Sequence, residues 1–231
     1  MSLPLVLIPG MMCDARLFGP QIEAFSANRP VQIAEIRSHD SIAELARTVL
    51  ISAPLRFALA GLSMGGIVAM EIMAQAPERI AKLALLDTNP RAELPEVAAG
   101  RQPQMDRVAA GDLLAVMRDE MKPNYLADGP DRTSILDLCM KMALALGPEA
   151  FLRQSRALRD RPDQQDTLRQ VAVPTLILCG REDRLCPVDR HELMRDLVPD
   201  SQLEIVDGAG HVPTLEQPKK TTDAMLRWLA A

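Results

Sequence analysis

Short apolar runs alternate along the chain with longer segments in which apolar residues recur every three or four positions. The runs Leu5 to Ile8, Val31 to Ile36, Phe57 to Ala60, Leu83 to Leu86, Thr175 to Cys179 and Leu203 to Val206 predict strands. Several are apolar at every position, not at every second one, which suits parallel strands covered on both faces. Segments near 15–26, 41–52, 65–76, 187–197 and 219–230 predict helices. Alternation of this kind predicts an α/β fold built on a doubly wound parallel sheet.

One stretch breaks the rhythm. Residues 89–172 carry helical patterns at Gln104 to Met121, Asp131 to Leu146, Pro148 to Asp160 and Asp163 to Val171, and no convincing strand. Pro123, Gly129-Pro130, Gly147-Pro148 and Pro162 punctuate them. The simplest reading is a core of residues 1–88 and 173–231 with a helical lid, 89–172, inserted between two strands of one sheet. Such a lid would lie over the carboxyl ends of the strands, where open α/β sheets bind ligands.

Composition narrows the function classes. The formal charge of −5 leaves no basic excess to neutralise phosphates, and aromatics at 3% leave few surfaces on which bases could stack, so a nucleic-acid partner is not expected. No apolar run reaches the roughly eighteen residues of a membrane span. The apolar start lacks a basic leader and a small-residue cleavage site, so it reads as a first strand and the expected location is cytoplasmic. Cys13, Cys139, Cys179 and Cys186 are scattered without a CxxC pair, which suggests reduced, mostly buried thiols and no metal site.

Candidate chemistry centres on Gly61-Leu62-Ser63-Met64-Gly65-Gly66, which follows an apolar run and opens a helical pattern. Between strand and helix, Gly-x-Ser-x-Gly is a sharp turn that exposes the serine oxygen in a strained conformation. Gly61 and Gly65 remove side chains that would strike neighbouring backbone. The plain alternative is a strand–helix turn with a capping serine. Neither a dinucleotide fingerprint nor a P-loop is present.

A serine nucleophile needs a base. His211 follows the last predicted strand in Asp207-Gly208-Ala209-Gly210-His211, a loop able to carry an imidazole over the sheet edge. His191 falls in an amphipathic helix beside Arg190 and Glu192 and reads as a solvated surface residue. His39 reads as a loop residue, with a place on the binding-site rim as the alternative. The base in turn needs a carboxylate. Asp183, in the turn after Thr175 to Cys179, is preferred, and Asp87, at the end of Leu83 to Leu86, is its rival. Glu182 is expected to face solvent or pair with an arginine. Backbone N–H groups of Met64, next to the serine, and of Met11, in the loop Pro9-Gly10-Met11-Met12, are the candidate oxyanion donors, with Gly10 allowing close approach.

Together with Leu5-Val6-Leu7-Ile8-Pro9-Gly10, Pro174-Thr175-Leu176-Ile177-Leu178-Cys179-Gly180-Arg181-Glu182-Asp183, Gly208-Ala209-Gly210-His211 and Glu216-Gln217-Pro218, the serine motif resembles the α/β-hydrolase superfamily, in particular its lidded carboxylesterase-like branch. The resemblance covers nearly all of the chain outside the lid, and the order serine, aspartate, histidine is that of the family. Many relatives carry His-Gly where this chain has Pro9-Gly10, and many begin with an antiparallel hairpin that is missing here. About six strands, all parallel, are therefore expected.

The resemblance implies a cofactor-free serine hydrolase acting on a small-molecule carboxylic ester through an acyl-enzyme. The same triad serves thioesterases, lactonases and carbon–carbon bond hydrolases, and a non-catalytic ligand- or acyl-carrier-binding protein on this fold is the reading from a different class. Two lid features bear on the partner. Met105, Met117, Met121, Met140 and Met142 read first as core and second as pocket lining. Arg153, Arg156, Arg159 and Arg161 read first as a solvated helix face and second as contacts for an acidic substrate or carrier.

Overall fold

Six strands, β1 (Leu5–Ile8), β2 (Val31–Ile33), β3 (Phe57–Leu62), β4 (Ile80–Leu86), β5 (Thr175–Gly180) and β6 (Gln202–Val206), form one sheet in the order β2-β1-β3-β4-β5-β6. Every pairing is parallel. The structure, a computed structural model, describes residues 2–231, so Met1 of the expected core lies outside it.

The sheet is covered on both faces because its central strands offer apolar side chains to both. Val6 and Ile8 of β1 join one core with Leu59, Leu85 and Ile177. Helices α2 (Ile42–Ser52), α3 (Met64–Gln75) and α8 (Val188–Leu197) pack into that layer. Leu5 and Leu7, pointing the other way, join Ala58, Ala60, Leu86 and Leu178. There α1 (Gly19–Ser26) and α10 (Pro218–Ala230) close the second layer. Trp228 of α10 is buried and donates its indole N–H to Pro174 O at 3.1 Å, fixing the last helix to the sheet. A further short helix, α9 (Pro213–Glu216), precedes α10.

The strands differ from the expected runs mainly at their ends. β2 stops at Ile33 because it is an edge strand, although Ala34 N–H still donates to Leu7 O at 2.9 Å. β4 starts at Ile80, three residues earlier, with Lys82 reaching out to donate to Trp228 O at 3.2 Å.

Between β4 and β5 the described chain contains helices and no strand: α4 (Pro95–Ala109), α5 (Leu113–Ala115), a π-helical turn at Val116–Met121, α6 (Arg132–Arg159) and α7 (Gln165–Arg169). Helix α4 begins well before the expected Gln104. Pro95 occupies its first turn, where a missing N–H costs nothing, and Pro103 is accommodated inside it. Helix α6 is two helical segments joined at Gly147, whose φ of 79° and ψ of 176° break the helix at the expected Gly147-Pro148 boundary. Among the described residues no helix is long and apolar enough to cross a membrane.

The sheet order reverses between β1 and β3, because the chain leaves β1 for β2 on one side and returns to β3 on the other. The crevice outside the carboxyl ends of β1 and β3 is therefore the place to look for a ligand site.

Candidate active site

Ser63 stands at that crevice, between the end of β3 and the start of α3. Its φ of 56° and ψ of −118° place a β-bearing residue in strained backbone. The turn is held from both sides: Ser63 N–H donates to Leu86 O at 2.8 Å, and Thr88 Oγ1 donates to Ser63 O at 2.7 Å. A Cβ on Gly61 would collide with the Gly65 and Gly66 backbone, and one on Gly65 with the Ile8 and Pro9 carbonyls. Both glycines are thus needed for the close packing of β1, β3 and α3, as the motif predicts.

His211 Nε2 lies 2.9 Å from Ser63 Oγ, and its Nδ1 lies 2.8 Å from Asp183 Oδ2. The arrangement fits one tautomer, with Nδ1–H donating to the carboxylate and Nε2 accepting from the hydroxyl. Asp183 Oδ1 accepts from the N–H groups of Leu185 at 2.8 Å and Cys186 at 3.0 Å. Burial favours the neutral acid, but the charge and hydrogen bond of His211 and the two backbone donors outweigh it and hold Asp183 below the usual carboxylate range.

The loop carrying His211 is fixed by groups outside the expected set. Glu216 accepts from the N–H groups of Gly210 at 2.9 Å, Val212 at 3.1 Å and, from the inserted segment, Ala127 at 2.8 Å. Tyr125 O accepts from His211 N–H at 2.6 Å. Glu216 was legible only as part of a family-like string; its role depends on backbone donors that leave no trace in sequence.

Of the two candidate oxyanion donors, Met64 is the first residue of α3, so its N–H has no intrahelical acceptor. Among the described residues Met11 N–H has no protein acceptor either, whereas Met12 N–H is taken by Gln154 Oε1 at 2.9 Å. Gly10 lies against Ser63, with a Cβ there falling 3.3 Å from Ser63 Cβ. Met11, Met64, Gly10, Ser63 and His211 all line one cavity of about 410 Å³.

One expectation needs correction. His191 is not a solvated surface residue but is fully buried, with Nε2 accepting from Thr88 N–H at 3.1 Å and Nδ1 lying 3.3 Å from Pro187 O. One side of α8 packs on the sheet, and the flanking Arg190 and Glu192 mark only its other side. Asp87, the rival acid, lies behind Asp183, with Oδ1 accepting from Gly180 N–H at 2.9 Å. Burial and the neighbouring Asp183 push its carboxyl well above the usual range. His39 is partly exposed and is not among the cavity's lining residues. Glu182 accepts from Ala209 N–H at 3.1 Å.

All four cysteines are free, and only Cys186 is not fully buried. Asp183, Cys186 and His211 bring three donor atoms within 4.8 Å of one another. Asp183 and His211 are already bonded to each other, to Ser63 and to two backbone N–H groups, so their donor atoms are engaged within the protein.

The inserted segment supplies Glu93, Leu94, Val97, Arg101, Met121, Tyr125, Leu158 and Arg161 to the cavity wall. Met121 is the one methionine of the five candidates at the cavity; Met105, Met117 and Met142 are core. The late arginines divide likewise. Arg153, Arg156 and Arg159 are exposed or partly so, beside Glu149, Asp40 and Asp160, while Arg161 is buried against Glu93.

The profile of the alpha/beta hydrolase family matches residues 5–224. The chain belongs to that family. A pimeloyl-[acyl-carrier protein] methyl ester esterase of Photobacterium profundum is 30% identical over 189 residues, 79% of this chain and 74% of that protein. A thermophilic esterase from Thermogutta terrifontis, solved with malate bound, superimposes with a TM-score of 0.91 at 27% identity, covering 100% of this chain and 90% of that one. The enol-lactonase of Burkholderia xenovorans, at 20% identity, shares the fold with a TM-score of 0.88.

Proposed function

We propose that the protein is a serine hydrolase that cleaves a small-molecule carboxylic ester through an acyl-enzyme, with Ser63 as nucleophile, His211 as base and Asp183 as orienting acid. The observation that carries this is the unbroken hydrogen-bonded series Ser63 Oγ, His211 Nε2, His211 Nδ1, Asp183 Oδ2 at the wall of the cavity. The esterase relatives support an ester as the bond cleaved.

In the first step Ser63 Oγ attacks the carbonyl carbon while His211 Nε2 takes the hydroxyl proton. The carbonyl oxygen becomes an oxyanion, held by Met11 N–H and Met64 N–H at the amino end of α3. The tetrahedral species collapses, and His211 returns the proton to the departing alkoxide. Water then attacks the acyl-enzyme, with His211 again as base, and the acid is released with Ser63 restored. Asp183 stays ionised throughout and stabilises the imidazolium. Residues 89–172 act as a lid: they wall the cavity opposite Ser63 and limit water at the oxyanion.

The test is steady-state hydrolysis of short p-nitrophenyl esters, with a thioester series in parallel. Wild type is expected to turn over the oxygen esters, and Ser63→Ala to lose roughly 10⁴-fold or more in kcat. A folded wild type inert towards both series would refute the reading.

A further inference from the structure

The cavity beside Ser63 is lined by four arginines, Arg101, Arg161, Arg184 and Arg190, and by one acidic side chain, Glu93. Arg101 and Arg161 both pair with that same carboxylate, and all three side chains are largely buried, at 15%, 8% and 5% exposure for Arg101, Arg161 and Glu93. Two guanidiniums facing one carboxylate leave a positive charge uncompensated in a poorly solvated place, which is costly unless an anion joins them.

The unused donors point the same way. Arg101 bonds Glu93 through Nε, and among the described residues its two terminal nitrogens donate to no protein acceptor. Arg161 gives Nε to Arg91 O at 2.9 Å and Nη1 to Glu93 at 2.6 Å, leaving Nη2. Arg190 has only a loose 3.7 Å approach to Asp189, whose own side chain is mostly exposed. The same cavity that holds Ser63 and this basic group also carries apolar side chains on its wall, Ile67, Leu94, Val97, Met121 and Leu158.

Resting on the ester-hydrolase reading above, we propose that this site selects esters bearing a carboxylate at the far end of a short aliphatic chain, half-esters of dicarboxylic acids in their simplest form, with Arg101, Arg161 and Arg190 holding the carboxylate. Glu93 fixes the two buried guanidiniums so that their free N–H groups converge on one anion. A planar guanidinium suits a carboxylate through paired N–H donors, which a lysine could not supply. The apolar wall accepts the methylenes, and the single surplus charge of the Arg101–Glu93–Arg161 group matches one carboxylate.

The test compares the mono-p-nitrophenyl ester of adipic acid with p-nitrophenyl hexanoate, an uncharged ester of equal length. The readout is the ratio of the two kcat/KM values within one protein, which a general loss of folded enzyme does not move. The wild-type ratio is expected to exceed about tenfold, carried mainly by KM, and to fall towards one in Arg101→Gln. Arg190→Gln, at a more exposed position, should move it the same way if the buried variant folds poorly. Adipate binding to the Ser63→Ala protein, measured by calorimetry, reads the subsite without catalysis and should exceed binding of the neutral diamide. Equal ratios in wild type and variants, or equal binding of adipate and its diamide, would overturn the carboxylate subsite. Loss of all ester turnover with adipate still bound would instead overturn the hydrolase reading alone.

Discussion

Asp87 and Asp183 lie side by side, and their proton affinities are pushed in opposite directions. Asp183 is held low by His211, while Asp87 is pushed well up by burial and by the charge of Asp183. Asp87 Oδ2 is buried and would be an orphan acceptor as a carboxylate. As a carboxylic acid it becomes a donor to Asp183. Two carboxyls in one pocket are thus resolved by giving one of them the proton.

Asparagine at position 87 reproduces that arrangement without titrating, since its amide can donate to Asp183 and accept from Gly180 N–H. Asp87→Asn should keep kcat within about threefold, while Asp87→Leu should lose about tenfold or more by freeing Asp183 to move. The folded state binds the Asp87 proton more tightly than the unfolded chain does. Its stabilising contribution is therefore full below the ordinary carboxylate range and is lost as pH rises through the raised folded value. Thermal melting across pH should show Asp87→Asn gaining on wild type as pH rises; equal damage from Asn and Leu would contradict the shared proton.

His191 has the opposite sign. Burial pushes its imidazole down to about 4, so it folds neutral, accepting from Thr88 N–H beside Ser63. Stability tied to this group is present above about 6.5 and is lost as pH falls from there towards 4, on the order of 3 kcal/mol in all. His191→Gln keeps an acceptor for Thr88 N–H and removes the titration. Urea unfolding at pH 7.5 and 4.5 should show a smaller acid loss in the variant than in wild type.

Gln154 ties the inserted helices to the loop that carries Met11. Its Oε1 accepts from Met12 N–H and its Nε2 donates to Ile36 O, both at 2.9 Å, and the side chain is buried. Gln154→Leu leaves two buried backbone groups unpaired, at a cost of about 2–4 kcal/mol in stability. It should also lower kcat about tenfold with little change in KM, because the neighbouring Met11 N–H, the proposed oxyanion donor, loses its fixed position. A change confined to KM would separate Gln154 from the oxyanion loop.

Close packing around the serine turn makes a sharp prediction. Gly65→Ala drives a methyl group into the Ile8 and Pro9 carbonyls and should cost more than about 3 kcal/mol or prevent folding. Gly19→Ala, where a Cβ meets nothing within 4 Å, should change stability by less than about 1 kcal/mol. Denaturant midpoints of the two variants check both.

Much of this was readable from the chain because strand–helix alternation and the punctuated turns are local signals. All six strands, the parallel sheet and the two-part helix around Gly147 follow from runs of apolar residues and from glycine and proline placement. The meeting of Ser63, Asp183 and His211 is non-local, but each sits at a strand's carboxyl end, where the fold leaves few alternatives. His191 escaped because charged neighbours at adjacent positions describe the outer side of a helix and say nothing of its inner side. Glu216, Gln154 and the Arg101–Glu93–Arg161 group escaped because their partners are backbone atoms or side chains brought close only by the folded inserted segment.

Covalent capture of the nucleophile tests the central claim most directly. Wild type, Ser63→Ala and His211→Gln would be incubated with a fluorophosphonate and examined by intact and peptide mass spectrometry. The expected result is one phosphonyl adduct per wild-type chain on the peptide containing Ser63, none in Ser63→Ala, and labelling about a thousandfold slower in His211→Gln. A folded wild type that stays unmodified, or that carries the adduct on another residue, would contradict the account.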